Sequence, residues 1–206
     1  MGKSAGASLK PVLGFTGSYI AAAGAWALAA GNREFLFYIL VLLVIVPVLY
    51  AVHRRYPLPA GLMWGFSVWG LVHMAGGLVP VPQAWVSPGS GAVLYSWWLI
   101  PGCLKYDQIV HAYGFGTTTW LTWHILRGAL RSPGDLPVRP TLGVLVLCMA
   151  VGMGFGAFNE VVEFAATLTL PETNVGGYLN TGWDLIANLV GASVAAVAIR
   201  WANRIS

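Results

Sequence analysis

Residues 35–52 read Phe-Leu-Phe-Tyr-Ile-Leu-Val-Leu-Leu-Val-Ile-Val-Pro-Val-Leu-Tyr-Ala-Val, eighteen residues without a charge. Arg33-Glu34 closes the run on one side and His53-Arg54-Arg55 on the other. A helix needs about 20 mostly apolar residues to cross the hydrocarbon core of a bilayer. Five more stretches have this character, at residues 11–30, 60–80, 106–127, 141–165 and 182–200. They predict an all-α fold, a polytopic transmembrane helix bundle of about six membrane-spanning helices, forming a single integral membrane domain over residues 1–206.

Composition agrees. Of 206 residues, 57% are hydrophobic and 9% charged, with a mean hydropathy of +0.71. Soluble domains carry about 25% charged residues, so this chain lacks the polar groups to coat itself in water. Its basic residues sit at the ends of apolar runs, which excludes a nucleic-acid face and makes the lipid bilayer the expected partner. Cys103 and Cys148 form no disulfide framework and read as small apolar residues near opposite membrane faces. The 26 glycines suit close helix approach in lipid.

The first span could be a signal peptide, since Lys3 and Lys10 precede an apolar run ending in Ala27-Leu28-Ala29. That run exceeds the usual 7–15 residues of a signal core, and a retained helix is favoured. The positive-inside rule then sets the orientation. With a cytoplasmic N-terminus, Lys3, Lys10, Arg54, Arg55, Arg127, Arg131, Arg139, Arg200 and Arg204 fall inside and only Arg33 and Lys105 outside. Both termini are expected in the cytoplasm of a bacterial cell, with the protein multi-pass in its cytoplasmic membrane. Two longer connections lie outside. Residues 81–105, with Trp85, Tyr95, Trp97 and Trp98, are expected at headgroup depth as an interfacial segment containing a short flat helix. Residues 166–181, with Pro171, Gly176, Gly177 and Asn180, are expected as a loop.

Ionisable groups in spanning helices are expensive and face a cavity or a partner. Here they are grouped. Asp107 and His111 share a face of the fourth helix at i and i+4, and Glu160 and Glu163 share one of the fifth at i and i+3. Asp184 and Asn188 open the sixth, and His73 lies about two turns before the outer end of the third. Alternating helix directions put all seven in the outer leaflet. Carboxylates with imidazoles form a hard to borderline ligand set that suits a divalent zinc, manganese or iron ion. The candidate ligands are His73, Asp107, His111, Glu160, Glu163 and Asp184. Asn159 and Asn188 would orient them from behind, and Glu160 and Glu163 are candidate catalytic bases.

Plainer roles stand beside these. Thr181-x-x-Asp184 fits a helix N-cap with an acid in the first turn. Asp107 could serve the helix dipole or pair with Lys105. His73 could bond across helices, and His53 and His124 have no special role near the inner interface. The tryptophans read as interface anchors. For the glutamate pair the plain alternative is surface solvation, which Phe164-Ala165-Ala166 argues against by continuing the helix.

Tyr-Asp-x-x-x-His at 106–111, Glu-x-x-Glu at 160–163, and Trp-Asp-x-x-x-Asn at 183–188 with Gly191 resemble the YjdF-type membrane family, and more loosely the VanZ-like group. The resemblance covers about residues 60–195 and implies a small polytopic membrane protein without an assigned activity. Three function classes follow from the residues: a metal-dependent hydrolase of a lipid-linked or otherwise hydrophobic substrate, a proton- or ion-coupled carrier, and a non-catalytic scaffold or assembly subunit.

Overall fold

The computed structural model describes residues 9–130 and 138–203. Six α-helices dominate them: α1 (Lys10–Ala29), α2 (Arg33–Arg55), α3 (Ala60–Leu78), α4 (Tyr106–Ala129), α5 (Leu142–Thr169) and α6 (Tyr178–Ala202). By length and composition α1, α2, α5 and α6 can cross a membrane. α4 is the least apolar of the six for a visible reason. It packs against α3, α5 and α6, so much of its surface meets protein instead of lipid. Its threonines are satisfied locally, Thr117, Thr118, Thr119 and Thr122 each donating to the carbonyl four residues back.

The contact registers give the helix directions. Thr16 and Ser67, 51 residues apart, hydrogen-bond at 2.6 Å, and Gly70 faces Tyr19 at the same offset. A constant offset means that α1 and α3 run parallel. His111 and Asn188 are 77 residues apart, and Ala112 meets Gly191 at nearly that spacing, so α4 and α6 also run parallel. Between α3 and α4 the partners change in opposite senses: Gly61 faces Trp120, Gly65 faces Thr117, and Trp69 faces Gly114. The same reversal, Gly152 on Thr119 and Glu160 on His111, relates α5 to α4. The helices therefore alternate in direction, and the start of α1 and the end of α6 share one end of the bundle.

Backbone contact sets the α4–α6 spacing. A Cβ on Gly191 would land on the Ala112 carbonyl, and one on Gly116 would stand 2.9 Å from the Gly191 oxygen. Three apolar clusters fill the rest: Ala23, Phe35, Tyr38 and Met74 between α1, α2 and α3, Trp123, Leu145, Cys148 and Ile199 between α4, α5 and α6, and Val12, Leu58, Leu62 and Met63 below.

Several sequence expectations change. α5 runs to Thr169 and α6 begins at Tyr178, so the loop expected over 166–181 shrinks to 170–177. The 81–105 connection holds no flat helix. It has 3-10 turns at Gln83–Trp85 and Leu94–Ser96 and a short hairpin, β1 (Trp98–Ile100) antiparallel to β2 (Leu104–Lys105). Pro80, Pro82 and Pro88 deny such a segment the amide hydrogens a helix would need. Trp85 and Trp97 stack at 5.0 Å, but Tyr95 turns into the bundle and leaves the interfacial belt. Cys103 is exposed and Cys148 buried, both as free thiols. Lys3, Arg131 and Arg204 lie outside the described residues.

Candidate functional site

At the end of the bundle away from both termini, α4, α5 and α6 bring their acids to one imidazole. His111 Nε2 lies 3.6 Å from Asp107 Oδ1 and 3.9 Å from Glu163 Oε1, and Nδ1 lies 3.7 Å from Glu160 Oε1. Asp184 joins from α6. One ligand atom each from Asp107, His111 and Asp184 fits within 4.8 Å, as does one each from His111, Glu160 and Glu163. His111 is 6% exposed and Asp184 1%, so a membrane-inserted bundle would shield them from bulk water.

Amides surround the acids. Asn159 Nδ2 donates to Glu163 Oε1 at 2.7 Å. Asn188, fully buried, accepts from His111 Nδ1 at 3.1 Å. Its side chain fits because Gly156 lacks a Cβ, which would stand 2.5 Å from Asn188 Nδ2. With Nδ1–H committed to Asn188, a neutral His111 turns a bare Nε2 lone pair toward two carboxylates. Acceptors then face acceptors, an arrangement that a cation or a second imidazole proton reconciles. Two more acceptors are left over: Glu160 Oε1 and Asp184 Oδ1 are buried without a hydrogen-bond partner. A buried unpaired polar group costs about 1–3 kcal/mol.

Not every expected ligand joins. His73 sits in an aromatic cage, stacked on Trp69 at 5.3 Å with Tyr38 and Tyr95 at its edges. Its Nδ1 shares a hydrogen bond with the Tyr95 hydroxyl. Burial pushes the Tyr95 phenol well above its ordinary range, so it stays neutral. His73 belongs to neither ligand triad. The N-cap role weighed for Asp184 also falls away. Gly177 caps α6 and Asp184 lies beyond the first turn. Asp107 does stand in a first turn with Lys105 Nζ at 3.9 Å. His53 Nδ1 accepts from the Leu58 amide and His124 Nε2 bonds the Pro57 carbonyl, so both fasten the α2–α3 turn at the other end.

Sequence reasoning missed Asn180. Its Oδ1 accepts from Lys105 Nζ at 2.7 Å, and its Nδ2 donates to Asp184 Oδ2 at 2.5 Å and Asp107 Oδ2 at 3.3 Å. It read as a loop residue, and only the start of α6 at Tyr178 turns it toward the acids. Glu34 was also passed over. Its carboxylate accepts from the Asn174 amide at 2.8 Å and ties the α5–α6 loop to α2.

Two cavities flank the site. A polar vestibule of about 290 Å³, walled by Tyr95, Ser96, Lys105, Asp107, Asn174 and Asn180, opens above it. A larger apolar groove of about 1110 Å³ runs along α3, α4 and α6 from Leu104 and Gln108 to Arg127 and Asn203. Helical spacing puts Asp107 and His111 on the opposite face of α4 from the groove residues Ala112, Gly116 and Trp120.

A family model described as "Predicted membrane protein (DUF2238)" matches residues 12–204. The chain belongs to that family. No curated protein and no solved structure matches it. The DUF2238 match includes every residue of the site and both cavities.

Proposed function

We propose that this protein is a six-span membrane protein whose clustered acids form a divalent-cation centre in the outer half of the bilayer. The observation that carries the reading is the pair of orphaned acceptors, Glu160 Oε1 and Asp184 Oδ1, beside a lone pair aimed at carboxylates. A cation wants acceptors alone. Neither oxygen accepts a hydrogen bond from any donor among the described residues. In the same network Asn188 Nδ2 is a buried donor without a partner, turned away from the Oδ1 that holds His111.

The residues fit such an ion. Ligands at about 2.0–2.2 Å from zinc stand at most about 4.4 Å apart, so triads within 4.8 Å need a contraction of a few tenths of an ångström. Asp107, His111, Glu160, Glu163 and Asp184 would hold the ion, and zinc, manganese and iron suit the oxygen-rich set. Asn188 fixes the His111 ring, Asn159 holds Glu163, and Asn180 holds Asp107 and Asp184. When bound, the ion would supply Lewis acidity and an activated water. A glutamate oxygen not engaged by the ion would take the proton from that water, with Glu160 or Glu163 as general base. The reaction class is hydrolysis of a lipid-linked substrate. Its chain would lie in the apolar groove, whose lining includes Gln108 and Trp183, the chain neighbours of Asp107 and Asp184, and its polar head would reach the acids from that end.

The alternating helix directions support six crossings that bring the start of α1 and the end of α6 to one side. The Lys/Arg distribution supports the cytoplasm of a bacterial cell as that side, and the motifs at 106–111, 160–163 and 183–188 support the finer YjdF-type assignment. Elemental analysis of protein purified without added chelator tests the centre. Stoichiometric zinc, manganese or iron is expected, and protein free of all three that also binds none on titration refutes the reading.

A further inference from the structure

Lys105 is the last residue before α4, and its ammonium is placed between the outside and the acids. It is held from two sides, by Asn180 Oδ1 at 2.7 Å and by Asp107 Oδ2 at 3.9 Å, and it passes over the Trp98 ring at 5.9 Å. Asn180 is committed at both ends of its amide, with oxygen to the ammonium and nitrogen to Asp107 and Asp184. These contacts lie at the floor of the polar vestibule, whose lining includes Lys105, Asp107 and Asn180. Asp107 pairs with this ammonium directly, and Asn180 links it to Asp184. An ion in the vestibule meets Asp107 with Lys105 and Asn180 already bound to it.

We infer that Lys105 is a built-in competitor for the divalent cation, occupying the vestibule side of the centre until an ion displaces it. The inference rests on the cation-centre reading and adds its access route and its control. The exchange is a balance of charge with no bond made or broken in the chain. The incoming ion takes Asp107 and Asp184 as ligands, the Asn180 nitrogen gives up their oxygens, and the ammonium swings into the vestibule on its four-carbon stem. Lysine suits this task because its head is a compact, strongly hydrated point charge on a flexible chain, whereas a guanidinium would grip the carboxylate bidentately. The ligand favoured is a small hard dication such as manganese(II), since the walls are polar and the ligand atoms are mostly oxygen.

The test uses the full chain in detergent and manganese(II) alone, titrated into wild type, Lys105→Met and Lys105→Arg. Removing the competitor should tighten binding about tenfold, equivalent to about 1.4 kcal/mol. Lys105→Arg should bind no more tightly than wild type. If wild type binds manganese and Lys105→Met binds it equally or more weakly, the competitor role is wrong and the centre stands. If none of the three proteins binds manganese, the competitor role is wrong, and zinc(II) and iron(II) titrated into the same wild type decide whether the centre falls with it. A second measurement needs no variant. Acylation of Lys105 in the wild type, read from its peptide by mass spectrometry, should speed up several-fold when manganese is added. An unchanged or slower rate in protein that binds manganese overturns the inference.

Discussion

Gly191→Ala tests the helix contact on which the site depends. The new Cβ would lie on the Ala112 carbonyl and carbon. These are backbone atoms, so no side chain can rotate away and α4 and α6 must part. Overpacking costs about 1–3 kcal/mol, and a backbone obstacle puts this case near the top of that range. Alanine returns about 1 kcal/mol of helix propensity over glycine, leaving a net loss of about 2 kcal/mol. Gly154→Ala is the matched control, since its Cβ would meet nothing within 4 Å and it should gain about 1 kcal/mol. The two variants should differ by about 3 kcal/mol, or about 6–12 °C in melting temperature at this chain length. Thermal unfolding in detergent followed by tryptophan fluorescence measures the difference. A Gly191→Ala protein that melts with or above Gly154→Ala would refute the close packing of α4 on α6.

Glu160→Gln should lower metal content and abolish the stabilisation that added metal gives wild type, read as thermal stability with and without chelator. A wild type indifferent to chelator, together with a Gln variant of equal or greater stability, would leave the acids as a proton-sharing or packing device. His111→Phe should lose bound metal, whereas His73→Phe, which keeps the stack on Trp69, should retain it. Equal metal loss in both variants would return His73 to the ligand set. Reporter fusions at Ser206 and within 81–105 should report opposite sides of the membrane, and a same-side result would break the six-span topology.

The helices were legible because apolar runs of membrane length leave little choice, and their errors have one cause. Boundaries drawn where apolar residues stop miss helix that continues into polar sequence. Thr167 and Thr169 extend α5 by bonding their own helix carbonyls, and Asn180 and Thr181 lie in the first turn of α6. The convergence of Asp107, His111, Glu160, Glu163 and Asp184 was legible as well, since spacings of three and four put them on helix faces and alternating directions put those faces at one level. Lys105, Asn180 and Tyr95 were not legible as site residues. No periodicity marks them, and each finds its partner from another part of the chain, Lys105 with Asn180 at a separation of 75 residues. His73 was drawn in by residue type and set apart by the aromatic neighbours that α2 and the 81–105 connection supply.

One register joins packing and site. His111 meets Asn188 at an offset of 77 residues, and that offset also puts Asp107 level with Asp184, which Asn180 bridges. Ala112 against Gly191 keeps nearly the same spacing and is the contact that admits no Cβ. A slip of α6 by one turn would therefore set a larger residue against the Ala112 carbonyl as it carried Asp184 and Asn188 away from their partners. α5 approaches in the reverse sense, with Gly152 on Thr119 and Gly156 on Asn188, and the next two turns deliver Glu160 and Glu163 to His111. Small residues thus bring α4 and α6 together backbone to backbone and let α5 close on the Thr119 and Asn188 side chains below the acids. Carboxylates that would repel one another in a low-dielectric bundle are brought together by this helix spacing and tied by Asn159, Asn180 and Lys105. The spacing does not depend on the acids, so replacing one of them should leave the α4–α6 contact intact.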